Sequence, residues 1–387
     1  MSAPFANYQN EIYFTGTTGQ RPPFTTDLSG LEDAAREVLD PQAFGYVAGS
    51  AGSTSTARAN RAAFERWRIV PRMLRDVSQR DQSTTVLGTP MPAPVLLAPV
   101  GVQTIVHPDG ELASARAAAA LGLVFIHSTA AAHSIEQVAE ASGDGRRWYQ
   151  LYWPNEPDVA ASLVGRAEAA GYTALVVTLD TFVMGWRPTD LDTAYLPFLQ
   201  SVGIANYLTD PAFNAPLGAE AQDFDKVFRW AGMFGNPSLT WADLAWLRER
   251  TSLPIVLKGI LHPDDARAAV DAGVDGVVVS NHGGRQVDGA IASLDALPGV
   301  IEAIGGAIPV LLDSGVRTGA DVVKAVALGA AAVLYGRPYI YGLGIGGQAG
   351  VEHVLRCLLG EMDVTMALSG RPTLADVAPD MLARLEA

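Results

Sequence analysis

Short apolar runs alternate with Ala-rich amphipathic stretches along most of this chain, and that alternation restricts its fold more than any other feature. "APVLLAPV" (93–100), "LVFIHST" (123–129), "WYQLYW" (148–153) and "ALVVTLD" (174–180) read as strands, with "GELASARAAAALG", "SIEQVAEAS" and "DVAASLVGRAEAAG" as the helices after the first three. An unpatterned stretch follows at about 183–238, then "WADLAWLRER" resumes the helices and "PIVLKG", "GVVVSN", "PVLLDSG" and "AAVLYG" supply four more strands. A run that is apolar throughout is covered on both faces, and strands separated by helices pair in parallel. Eight such units over roughly 260 residues fit an α/β fold, the closed (β/α)8 TIM barrel.

Residues 1–90 fall outside the repeat. "DLSGLEDAAREVL" and "DPQAFGYVAG" predict two short helices of an N-terminal extension packed under or beside the barrel. Residues 91–387 are then the barrel and its C-terminal helices. The 183–238 insertion follows strand four, so it hangs as a lid over the C-terminal face, where barrel sites lie.

Composition narrows the partners. Of the 387 residues 49% are hydrophobic, enough for a large core, and the net charge of −14 speaks against a nucleic-acid partner. No apolar run reaches the ~18 residues of a membrane span, and "MSAPFANYQNEIYF" has no signal-peptide pattern. Cys357 stands alone, so an internal disulfide is excluded, and it reads as a small buried apolar residue. A soluble cytoplasmic protein is expected. The histidines show no metal-ligand spacing, and no GxSxG elbow is present. A GxGxxG at Gly342, Gly344 and Gly347 lacks room for a following βαβ unit and reads as a glycine-rich helix entry.

Polar residues gather at the strand ends. In order these are Pro99 and Gly101; Ser128 and Thr129; Gln150 and Tyr152; Thr178 and Asp180; Lys258; Ser280, Asn281, His282 and Arg285; Asp313 and Arg317; Gly336 and Arg337. Core strands have no packing use for Lys, His and Asp there, so the set marks a site. "DSGVRTG" and "YGRP" after strands seven and eight read as a phosphate site, with glycines giving backbone access and arginines the charge. The bland alternative for Arg317 and Arg337 is surface ion pairing.

The motifs "QLYW", "VVTLDT", "VLKGI", "SNHGGRQVDG", "LLDSGVRTGADVVKAVALG" and "YGRP", in this order on successive strands, resemble the FMN-dependent α-hydroxy acid oxidases and dehydrogenases over about residues 27–370. Within that family "NYQNEIYFTG", "RMLRD" and "GWRPTDL" look most like lactate 2-monooxygenase. The resemblance implies roles. His282 would be the base and Asp180 its partner. Arg187 and Arg285 would clamp the substrate carboxylate, with Tyr46 and Tyr152 as hydrogen-bond donors; ordinary helix packing is the alternative for Tyr46. Lys258 would lie beside the flavin. Pro99, Val100, Gly101, Ser128, Gln150, Thr178 and Ser280 would contact the ring and ribityl chain, and Asp313, Gly315, Arg317, Gly336 and Arg337 the ribityl and phosphate groups. Many relatives carry Ala in place of Gly101, so Gly there would open space near flavin N5. A homo-oligomer, tetramer or octamer, is implied.

The chemistry asks for the same residue types. A carboxylate substrate wants a guanidinium fork, and proton removal wants a base with pKa near the working pH, backed by a carboxylate. The expected reaction is oxidation of a small L-2-hydroxy acid, L-lactate first, by O2. Acetate, CO2 and water would form in a monooxygenase, keto acid and hydrogen peroxide in an oxidase. A catalytically silent flavin-binding protein is the alternative of another class, and it would lack the base or the clamp.

Overall fold

A computed structural model describes residues 4–218 and 220–385. Eight parallel strands close into a barrel: β1 (Val95–Leu97), β2 (Val124–Ser128), β3 (Arg147–Leu151), β4 (Leu175–Thr178), β5 (Ile255–Ile260), β6 (Gly276–Val279), β7 (Val310–Leu312) and β8 (Ala332–Tyr335). Each strand pairs with its neighbours in sequence, and β8 pairs with β1. The expected barrel is present, with six strands inside the runs that predicted them and two, Arg147–Leu151 and Ile255–Ile260, one residue beyond theirs.

Successive side chains on a strand point to opposite faces, and the burial follows that parity. Leu96, Val124, Ile126, Trp148, Val176, Val256, Val278, Leu311 and Leu334 form one cluster inside the barrel. Their neighbours Leu97, Phe125, Tyr149, Val177, Leu257, Val279, Leu312 and Tyr335 pack outward among the helices. A hairpin of Thr84–Val86 and Thr89–Met91 contributes Val86 and Met91 to the inner cluster, and Trp148 Nε1 donates to Thr89 Oγ1 across 3.3 Å.

The N-terminal extension and the C-terminal stretch meet outside the barrel, where Trp67–Ile69 pairs antiparallel with Leu382–Arg384. The C-terminal stretch is therefore not all helical. The Pro41–Ala48 helix, expected under or beside the barrel, instead lies at its mouth: the carbonyls of Tyr46 and Val47 accept from Arg285 and Arg337. The helix of Arg337–Leu368 follows β8 and kinks at Gly346–Gly347, so the GxGxxG lies inside it, where Leu39 packs closely on Gly344. Among the described residues no helix is long and apolar enough to cross a membrane.

The lid is more regular than its sequence suggests. It holds short helices at Pro188–Asp192, Ala205–Leu208 and Pro211–Asn214, and a longer one at Asp223–Met233. The last buries Val227, Trp230 and Met233 on one face. Its helical period is masked by Phe224 and Phe228, which are exposed and stack on each other, centroids 6.1 Å apart.

Candidate active site

Strand parity builds the floor of the site. The alternation that turns Val124 and Ile126 inward turns Ser128 inward next, and the same step brings in Gln150, Thr178, Lys258, Ser280 and Asp313. All are buried. Ser128 Oγ donates to Gln150 Oε1 (2.9 Å), and Gln150 Nε2 donates to Thr178 Oγ1 (2.9 Å). Lys258 Nζ donates to Ser280 Oγ (3.0 Å) and lies 3.4 Å from the Asp313 carboxylate and 4.0 Å from that of Asp180. One further step of the same parity gives Tyr152, Asp180 and His282.

His282, Gly283 and Gly284 have φ of 59°, 65° and 78°. This left-handed turn explains the glycine pair after the histidine. A Cβ on Gly283 would sit 2.7 Å from Arg337 Nη1, and one on Gly284 2.7 Å from Ala57 N. His282 has no such freedom, and its conformation is strained. Neighbouring side chains hold it: its N–H donates to Ser280 Oγ (3.0 Å), and Asn281 Oδ1 accepts from Gly284 N (3.1 Å). Its Nδ1 lies 2.7 Å from Asp180 Oδ1, and its Nε2 lies 3.4 Å from the Tyr152 hydroxyl. The carboxylate fixes the Nδ1–H tautomer and leaves Nε2 as the proton acceptor.

Burial lowers the His282 pKa, with Asp180 opposing and Lys258 adding to the shift. Burial also works against charge on Asp180, yet His282 and Lys258 hold its carboxyl well below the usual range. The pair is thus a neutral imidazole on a carboxylate at neutral pH, as a general base requires. The sign follows for pH. A base must be unprotonated, and a lowered pKa keeps it so further into acid. The acid limb of kcat/KM is expected below the ordinary imidazole value of about 6.5, and Asp180→Asn should move it further down while lowering the plateau. A pH–rate profile with its acid limb above that value would contradict this.

Two arginines stand at the mouth. Arg285 Nη1 donates to the carbonyls of Tyr46 and Gly49, both at 2.7 Å, with its guanidinium carbon 5.0 Å from the Tyr46 ring centroid. Arg187 is buried and donates through Nε to Arg285 O (3.0 Å) and through Nη2 to Gln286 Oε1 (2.7 Å). Burial pushes the Tyr46 hydroxyl up and that of Tyr152 to about 12, so both remain neutral donors.

These groups share one cavity of about 1150 Å³, its open mouth included. Of the site residues singled out in sequence, Ser128, Thr129, Gln150, Thr178, Asp180, Ser280 and Asn281 do not line it, and the rest do. Sequence reasoning missed Met184, Phe198 and Phe234, which line it from the lid, and Ser314. The lid residues carried no strand-end signal; Ser314 stood unremarked in "DSGVRTG". Its φ is 72°, and its Oγ accepts from Gly283 N (2.9 Å). The expectation for Gly101 is corrected. A Cβ there would lie within covalent-clash distance of Ala130 O, so the glycine admits the Ala130 backbone and does not open free space.

The far end suits an anion. Among the described residues the Arg317 guanidinium donates only to Val316 O (3.1 Å), its backbone N–H being the group that meets Asp321 Oδ2 (3.0 Å), and neither the Arg317 nor the Arg337 guanidinium has a carboxylate partner, which disposes of surface ion pairing. The backbone N–H groups of Gly315, Val316, Gly336 and Arg337 find no acceptor among the described residues, and the last two open a long helix. The Arg337 guanidinium is otherwise engaged. It donates to Val47 O (2.9 Å), Gly283 O (2.9 Å) and Gly49 O (2.8 Å), so its backbone amide is what remains for an anion. Orphan amides, the free Arg317 fork and buried Lys258 together fit FMN, a flavin with one phosphate.

Comparison with known proteins agrees. The FMN-dependent dehydrogenase family matches residues 35–384. An FMN-dependent alpha-hydroxy acid dehydrogenase of Penicillium citrinum is 46% identical, over 98% of this chain and 96% of its own. An L-lactate oxidase of Lysinibacillus sphaericus is also 46% identical, over 90% of each. The crystal structure of a mandelate oxidase superposes with a TM-score of 0.83 at 40% identity, covering 93% of this chain and 98% of that one. The chain belongs to the FMN-dependent dehydrogenase family and is an FMN-dependent 2-hydroxy acid oxidoreductase.

Proposed function

We propose that this enzyme oxidises a small aliphatic L-2-hydroxy acid, L-lactate first, with O2 as acceptor, and that it retains the keto acid long enough to act as a lactate 2-monooxygenase. The observation behind this is the lid. Phe198 stacks on Trp230 (centroids 4.7 Å), Trp230 meets Phe234 (4.9 Å), and Phe234 meets Tyr152 (5.1 Å). This aromatic chain links the buried face of the lid helix to the wall of the site, so lid opening and product release are coupled. Lactate as substrate is favoured by the L-lactate oxidases of Lysinibacillus and Nostoc, each 46% identical.

Bound FMN would supply the two-electron redox chemistry that connects the substrate to O2. Arg317 and the amides of Gly315, Val316, Gly336 and Arg337 would hold its phosphate, Asp313 its ribityl chain, and Lys258 with the Ser128–Gln150–Thr178 chain its ring. Arg285 and Arg187 bind the substrate carboxylate, and Tyr46 and Tyr152 donate to it and to the hydroxyl. Nε2 of His282 takes a proton released as the alcohol becomes a ketone, and Asp180 stabilises the resulting imidazolium. The same reading includes assembly as a homo-oligomer, consistent with Phe182, Val183, Met184 and Trp186 exposed in a row on the lid rim.

Lactate and O2 give acetate, CO2 and water if the keto acid stays, and pyruvate and hydrogen peroxide if it leaves. The names of the lactate oxidase relatives favour the second outcome. Product analysis of aerobic turnover with direct peroxide measurement decides. Acetate with CO2 in equal amount and no free peroxide is expected; pyruvate with peroxide in equal amount would replace the monooxygenase reading by the oxidase one.

A further inference from the structure

Asp190 lies on the first lid helix, Pro188–Asp192, between the two mouth arginines. Its Oδ2 is 3.7 Å from Arg285 Nη2 and 4.0 Å from Arg187 Nη1. Its Oδ1 is buried and has no hydrogen-bond partner among the described residues. These separations are long for ion pairs that hold a side chain in place. Arg285 and Arg187 are positioned instead by the carbonyls of Tyr46, Gly49 and Arg285 and by Gln286. Asp190 therefore contributes charge more than scaffolding. The ionised groups at the floor form a separate cluster: Lys258 faces both Asp313 and Asp180, leaving one net negative charge there, and His282 is neutral.

We propose that Asp190 sets the net charge of the two-arginine clamp at one positive unit, selecting monoanionic 2-hydroxy acids and rejecting dianionic ones. The inference rests on the reading of Arg187 and Arg285 as the carboxylate clamp. Two guanidinium groups alone would present two positive charges in a partly desolvated mouth, which favours a dicarboxylate. With Asp190 ionised between them, one charge remains for one carboxylate, and a second carboxylate meets Asp190 as a like charge. Like charges a few ångströms apart interact strongly at the effective dielectric of such a site.

The test is calorimetric titration of the oxidised holoenzyme with pyruvate as the monoanionic probe and malonate as the dianionic one. In Asp190→Asn, malonate affinity should rise about tenfold or more and pyruvate affinity by less, so their ratio shifts at least fivefold towards malonate. Asp190→Glu keeps the charge and should keep the wild-type ratio, and a thermal melt of each variant checks its fold. An unchanged ratio in Asp190→Asn, or weaker binding of both probes with the fold intact, would overturn the proposal. Arg285→Lys tests the clamp itself: if it binds both probes as the wild type does, the clamp assignment fails whatever Asp190 does.

Discussion

Replacing His282 with Gln should slow reduction by L-lactate by about 10²–10⁴-fold, the span commonly lost with a general base, while the protein stays yellow and folded. Gln can meet Asp180 across the 2.7 Å gap that the imidazole Nδ1 now spans, but it offers no group able to take a proton at the Nε2 position. The polar floor below it, from Ser128 to Ser280, is untouched, so FMN should remain bound. Stopped-flow reduction under anaerobic conditions isolates the step, because oxygen reactivity does not enter. A rate within threefold of wild type would remove His282 from the mechanism. Combination with Asp180→Asn is expected to be strongly non-additive, since a carboxylate that only orients and stabilises the imidazolium has nothing to act on once the imidazole is gone.

The floor of the site was legible in sequence because it follows from one rule. Each polar residue stands two positions beyond an inward-facing apolar one: Ser128 after Ile126, Gln150 after Trp148, Lys258 after Val256, Asp313 after Leu311. Strand parity holds wherever strands are regular, so residue order alone places these groups on one ring. What was not legible is everything set by tertiary contact. Phe198 and Phe234 reach the cavity through a lid whose helical period is hidden by two exposed phenylalanines. The mouth position of the Pro41–Ala48 helix depends on hydrogen bonds to arginines more than 230 residues away. Gly101 was read as open space because sequence cannot show that Ala130 O fills it. In each case the deciding partner is remote in the chain and leaves no local pattern.

Arg337→Met is expected to destabilise the whole mouth, by about 3–5 kcal/mol, which for a chain of this size corresponds to a fall in Tm of about 5 °C. By sequence this arginine belongs on a phosphate or the ribityl chain. In the folded protein its guanidinium is partly buried, its pKa lowered to about 10 by desolvation, and it donates to the carbonyls of Val47, Gly49 and Gly283. Gly49 O also accepts from Arg285, but among the described residues Val47 O and Gly283 O have no second donor. Methionine fills the stem and supplies no donor, leaving two partly buried carbonyls unpaired at about 1–3 kcal/mol each, with the packing of the fork lost besides. The consequences are directional. Val47 neighbours Tyr46, and Gly283 follows His282, so loss of this one tie loosens both the proposed substrate donor and the proposed base. KM for lactate should rise and kcat fall together. FMN affinity should fall less, since the Arg317 fork and the amides of Gly315, Val316 and Gly336 are retained. Thermal denaturation, FMN titration of the apoprotein and steady-state kinetics on this variant separate the two roles. An unchanged melting temperature with FMN affinity reduced a hundredfold would show that the guanidinium serves the phosphate after all.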